Sequence, residues 1–109
     1  MITKYEQFCA ICNRPASETH HLVYGTSSRQ ISDFEDLTIP LCSLCHRKIH
    51  EGEKAKPNDG FNRYGVMSKI IGQACYERDY IIKKTELPFW DAQDEARESF
   101  RHLFGKSFL

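Results

Sequence analysis

The hydrophobic and polar positions divide the chain into a short-period first half and a helical second half. Residues 18–24 (ETHHLVY) predict a strand ended by Gly25, and residues 37–41 (LTIPL) a second strand. Pro40 lacks an N–H to donate, which confines that second strand to an edge or a strand end. Residues 43–50 predict a short helix, with Ser43 able to cap its start and Gly52 placed for a left-handed C-cap. The stretch between the strands, rich in Gly and Ser at its start, reads as a loop. Further on, Met67, Ile70, Ile71, Ala74, Cys75, Ile81 and Ile82 recur near helical spacing, predicting a helix over residues 66–84 with that stripe as core. A final helix is predicted from Asp91, where Asp94 and Glu95 suit the helix dipole, to Gly105. Its apolar stripe is Ala96, Phe100, Leu103 and Phe104. Residues 51–60 (EGEKAKPNDG) break every apolar period and read as the join.

These elements define a small α+β protein, a single domain over residues 1–109 with a core at 1–52 and a helical lobe at 61–109. No apolar run exceeds about five residues, far short of the ~20 that span a bilayer, so no membrane partner is expected. The start, MITKYEQFCA, has no basic segment followed by an apolar one, so a cytoplasmic location is expected. In that reducing compartment the 5 cysteines are not expected to form disulfides. Lys plus Arg number 15 and Asp plus Glu 15, with five of each sign before residue 51. That balance excludes a globally basic DNA binder and leaves few net phosphate contacts.

The chemistry concentrates in the first half. Cys9-Ala-Ile-Cys12 and Cys42-Ser-Leu-Cys45 are two C-x-x-C knuckles, the donor set of one tetrahedral structural zinc (Zn2+). Four thiolates close the shell and leave no position for a substrate. A thioredoxin-like pair lacks its strand and helix context here, and burial as four small hydrophobes does not account for two matched knuckles. A two-Cys, two-His finger would have to join His46 and His50 to Cys9 and Cys12 across an overlong gap. Cys75 falls in the apolar stripe and reads as core.

His20 and His21 are adjacent on a strand, so their side chains diverge and one can hold a metal while the other faces substrate. His46 and His50 lie four apart on a helix and can reach a single ion. Cys45 precedes His46 by about 100° of helix, which directs sulfur and imidazole to different sites. His102 has no such company and reads as structural.

The stretch HHLVYGTSSRQISDFEDLTIPLCSLCHRKIH, residues 20–50, resembles the HNH endonucleases, in particular their zinc-stapled branch found in phages. The double His and the ending LC-x-x-CH-x-x-x-H carry the resemblance, over about a third of the chain, and FRHLFGKSFL is similar to the tail of some phage proteins of this kind. The resemblance implies a ββα-metal fold of two strands and a helix, and cleavage of DNA phosphodiester bonds in host-cell cytoplasm. It makes His21 the general base and His20, His46 and His50 ligands of a catalytic divalent ion, Mn, Co, Ni, Zn or Mg. Arg29, in the Gly and Ser loop, is able to contact a phosphate through its planar fork or to stand as a solvated surface residue. The family's Asn is missing: none occurs between Asn13 and Asn58, and Asp36, less readily Asp33, is the nearest polar substitute. Either carboxylate can orient the ring of His21 or serve as an ordinary turn former. The expected partners are DNA, reached with the help of an oligomer or deformed DNA, and a recombination or packaging protein. The rival expectation is a catalytically silent, treble-clef-like zinc module that binds nucleic acid or a protein partner.

Overall fold

A computed structural model describes residues 1–25, 27–54, 62–84 and 86–109. The order is β1 (Glu18–His21), α1 (Ser28–Phe34), β2 (Thr38–Leu41), α2 (Ser43–Lys54), α3 (Asn62–Lys83) and α4 (Phe89–Phe104). The chain is therefore α+β, with a two-stranded antiparallel sheet and four helices among the described residues. None of these helices is long and apolar enough to cross a membrane.

In the sheet, Glu18 faces Leu41, Thr19 faces Pro40, His20 faces Ile39 and His21 faces Thr38. Pro40 sits on an edge strand, as expected of a residue with no N–H, and its carbonyl accepts from Ala10 N–H at 2.9 Å. The first strand is shorter than its sequence reads: β1 stops at His21, and Leu22 to Tyr24 turn inward as buried residues. Their backbone is held by helices. Ser32 Oγ of α1 donates to the Val23 carbonyl at 2.5 Å, and Ser68 Oγ of α3 donates to the Leu22 carbonyl at 2.7 Å.

The stretch expected to be a loop contains α1. Its N-cap Ser27 makes no side-chain cap bond, so little in the local sequence announces it. The helix is held instead by the bond from fully buried Ser32 and by packing on β1 and α4. Asp36, at φ 61°, makes the left-handed turn into β2, a conformation that Asp tolerates better than most residues.

Three boundaries differ from expectation. α2 continues through Gly52 to Lys54, so Gly52 is not its C-cap; residues 55–60 of the expected join lie outside the described residues. α4 starts at Phe89 behind Pro88, and Asp91 lies in its first turn. α3 is the larger correction. Met67, Ile71 and Ile82 are exposed, whereas Ser68, Gln73, Tyr76 and Glu77 are buried. Gly65 and Gly72 share that inward side: a Cβ at Gly72 would lie 2.8 Å from Val23 Cγ2, and one at Gly65 2.5 Å from the Tyr24 hydroxyl. Backbone approach of α3 to the Leu22–Tyr24 segment thus replaces the interlocking of large side chains. α4 follows its pattern: Ala96 and Phe100 are fully buried, Leu103 and Phe104 pack at the core margin, and Gly105 closes the helix at φ 85° with its N–H on Arg101 O at 2.8 Å.

Two apolar clusters result. One gathers Cys9, Tyr24, Leu41, Cys45 and Ile49 beneath the knuckles. The other joins Leu22, Val23 and Leu37 of the first half to Tyr76 and Phe100 of the second. The C-terminal segment is clamped to α3 by fully buried Gln73, whose amide donates to Ser107 Oγ at 2.8 Å and accepts from Phe108 N–H at 2.6 Å.

Candidate metal centre and catalytic cleft

The first knuckle is a tight turn. Asn13 N–H bonds to Cys9 O at 2.9 Å, Cys9 N–H to Arg14 O at 2.7 Å, and Asn13 takes φ 64° where the chain reverses. The second knuckle opens α2, with Cys42 ahead of the helix and Cys45 in its first turn. All four sulfurs lie within 4.8 Å of one another, and none is in a disulfide. Cys12 Sγ and Cys42 Sγ are 3.6 Å apart. Sulfurs bound at about 2.3 Å to a tetrahedral zinc are separated by roughly 3.8 Å, so the donor set fits such an ion in type and spacing.

The thiols differ in their surroundings. Burial raises Cys9, but hydrogen bonds from the backbones of Cys12, Cys42 and Ile11 outweigh it and bring the thiol down to about 6. Backbone N–H of Cys45, 3.5 Å from Cys42 Sγ, lowers Cys42. Burial, with the adjoining sulfurs adding to it, pushes Cys45 up to about 12. Four thiolates packed this closely repel, and a dication offsets that repulsion. These four cysteines can hold a structural metal ion such as zinc.

The histidines form a second, separate cluster. Their ligand atoms in His20, His46 and His50 also lie within 4.8 Å of one another. His20 is 1 % exposed and sits on the inward face of β1, which Glu18 shares two residues earlier. His46 and His50 occupy successive turns of α2, and their Nε2 atoms are 3.1 Å apart. Nitrogens bound to one tetrahedral ion at 2.0–2.1 Å stand roughly 3.3 Å apart, so this pair already has ligand spacing. His46 Nδ1 faces Glu18 Oε2 at 3.3 Å, which leaves Nε2 as its inward atom. His20 Nε2 meets Ser68 Oγ at 2.8 Å, while its Nδ1 is buried with no hydrogen-bond partner. Burial, reinforced by neighbouring His46 and His50, lowers His20 to about 3 and keeps it neutral, the form that ligates metal.

His21 points away from this cluster, as adjacent strand residues must. Its Nε2 lies 3.4 Å from Asp33 Oδ1 of α1. The two aspartates of the α1 region are therefore distinguished: Asp33 stands beside His21, and Asp36, the first choice from sequence, spends its carboxylate on the Met1 ammonium. A cleft of ≈ 170 Å³ is lined by His20, His46 and His50, by His21 and Arg29, and by Thr19 and Tyr24. The Tyr24 ring stands 5.0 Å from that of His50, with the Lys69 ammonium 4.6 Å above its face.

The structure thus brings His20, His21, Arg29, His46 and His50 to one cleft and Cys9, Cys12, Cys42 and Cys45 to a second cluster, and leaves Asp36 outside both. Glu18, Tyr24 and Ser68 also reach these histidines and were not among the residues expected there. Glu18 carried a signal, since it shares the period-2 face of His20; Ser68 lies 48 residues from His20 and carried none.

No curated protein and no solved structure shows significant similarity to the chain. Residues 3–75 match the family described as Protein of unknown function (DUF968), a span that contains both cysteine knuckles, the four histidines of the first half and Ser68. That match covers more than half of the sequence, and the chain belongs to this family.

Proposed function

We propose that the protein is a metal-dependent endonuclease of the HNH type that hydrolyses DNA phosphodiester bonds. The observation that carries this reading is the cleft itself. Three imidazoles converge there with atoms close enough to share one ion, and a fourth on the opposite face of the same strand lines the same space with a carboxylate behind it. A merely structural zinc module gives the second imidazole cluster no task.

When bound at His20, His46 and His50, a divalent cation supplies charge stabilisation for the phosphoryl and leaving oxygens. The chain does the rest. Asp33, 3.4 Å from His21 Nε2, favours the ring proton on that nitrogen and leaves the lone pair of Nδ1 to take a proton from water. The same carboxylate stabilises the imidazolium that results. Arg29 offers two parallel N–H donors to a non-bridging phosphate oxygen pair. The four-cysteine site holds the knuckle against the start of α2, and so fixes the helix that carries His46 and His50.

Supercoiled plasmid is the decisive substrate. Zinc-replete protein supplied with Mn, Co, Ni or Mg is expected to nick it, and His21→Ala to lower the rate at least ~100-fold while retaining cobalt binding. Undiminished cleavage by His21→Ala places the base elsewhere. No cleavage with any ion leaves the zinc module that binds nucleic acid or a protein partner.

A further inference from the structure

α3 carries none of the four knuckle cysteines and none of the four histidines of the first half, yet one of its side chains enters the histidine cluster. Ser68 is 5 % exposed, with its Oγ 2.8 Å from His20 Nε2 and 2.7 Å from the Leu22 carbonyl oxygen. The protons in this triad are determined by counting. A carbonyl only accepts, so the single hydroxyl proton of Ser68 goes to Leu22 O. Ser68 Oγ therefore accepts from His20, whose Nε2 must carry the ring proton. A neutral imidazole has one such proton, and the lone pair falls on Nδ1. That atom is buried and makes no hydrogen bond, an unfavourable arrangement unless something electropositive sits against it.

We propose that Ser68 is a positioning residue: it fixes His20 as the Nε2–H tautomer, so that Nδ1 is the atom His20 presents to the ion shared with His46 and His50. The inference rests on the reading of those three histidines as a metal site. It makes the ligand set mixed, with Nδ1 from His20 and Nε2 from His46, whose own Nδ1 faces Glu18. Each ligand is then oriented from its far nitrogen, by a hydroxyl in one case and a carboxylate in the other. The small residues of α3 make this possible. Gly72 lets the helix backbone approach Leu22 and Val23 closely, one turn from Ser68, and a bulkier face would hold the hydroxyl out of range.

Two-bond proton–nitrogen correlation spectra of the full-length, zinc-loaded protein, without further divalent ion, read the tautomer directly. His20 is expected as Nε2–H. Cobalt(II) titration, followed by its visible absorption, reads the histidine site. Ser68→Ala is expected to redistribute the His20 tautomer and weaken cobalt binding by about 10- to 100-fold, and Ser68→Thr, which keeps the hydroxyl, to restore both. A His20 protonated at Nδ1 in the wild type overturns the proposal without any variant. Wild-type protein that fails to bind cobalt at these histidines, or Ser68→Ala that binds it as tightly as wild type, also overturns it. Neither readout involves DNA. Tautomer and cobalt results as expected without DNA cleavage would refute the nuclease reading alone, whereas cleavage with unchanged cobalt affinity in Ser68→Ala would refute the role of Ser68 alone.

Discussion

Gly72→Ala tests the close approach of α3 on which the buried side of the cleft depends. The added Cβ would lie 2.8 Å from Val23 Cγ2 and 3.0 Å from Leu22 Cβ, both well inside van der Waals contact. Neither neighbour can step aside. Both are 1 % exposed, and their carbonyls are tied to Ser68 and Ser32. The helix must move instead, at the ~1–3 kcal/mol typical of overpacking. Alanine returns about 1 kcal/mol through its better helix propensity. The net expectation is a loss of about 1 kcal/mol, which lowers Tm by roughly 4–8 °C in a domain near this size. Ser68 rides on the same helix. Its 2.8 Å bond to His20 tolerates only a few tenths of an ångström before leaving hydrogen-bond range, so cobalt affinity at the histidines falls with stability. Thermal melts followed by circular dichroism, paired with cobalt titration, measure both. Met67→Ala, at an exposed position of the same helix, is the control and should stay within ~0.5 kcal/mol of wild type. A Gly72→Ala protein that melts at or above the wild-type temperature refutes the close-packing argument.

Elemental analysis should find one zinc per chain at the four-cysteine site, and chelation should abolish the cooperative thermal transition, because a two-stranded sheet does not stand alone. Cys12→Ser should do the same although Cys12 is exposed, which separates lost coordination from lost packing; a metal-free protein with native circular dichroism and a sharp melt would show the site to be dispensable. His20 gives acid sensitivity of defined sign. Its folded-state value of about 3 lies below the ordinary 6.5, so between these values the unfolded chain binds the extra proton. The stability it contributes is complete above about pH 6.5 and is lost as pH falls towards 3, at up to ~1.4 kcal/mol per pH unit. Urea titrations from pH 7 to 5 should therefore be steeper in wild type than in His20→Gln, and equal slopes would count against a neutral buried His20.

What was legible in the sequence is what local spacing encodes. Cysteines three apart, histidines four apart on a helix and adjacent on a strand each fix relative direction without knowledge of the fold, and the two donor clusters follow from them. The α4 stripe was legible because Ala96 and Phe100 are apolar and buried together. α3 was not, because several of its apolar residues are exposed and most of its buried ones are small or polar. Besides Tyr76, its inward positions are Gly65, Ser68, Gly72, Gln73 and Glu77, suited to backbone approach and hydrogen bonds, while Met67, Ile71 and Ile82 face outward. Asp36 ranks ahead of Asp33 by sequence, and that order is reversed in the fold: both follow the same loop at similar distance from His21, and spacing alone does not separate them. Only the turn of α1 places Asp33 beside His21 and leaves Asp36 to the chain's N-terminus.

The apolar cluster that joins Leu22, Val23 and Leu37 to Tyr76 and Phe100 imposes an order on biosynthesis. A nascent chain that has emerged through Lys54 already holds the cysteines and histidines of both donor sets. It can capture zinc at the knuckles from that moment. Leu22, Val23 and Leu37 nevertheless remain uncovered until α3 and α4 leave the ribosome, an interval in which such residues invite association with other chains. The histidine centre waits for the same event, because the hydroxyl that meets His20 arrives on α3. Translation therefore delivers the ligands first and the clamp that orients one of them last.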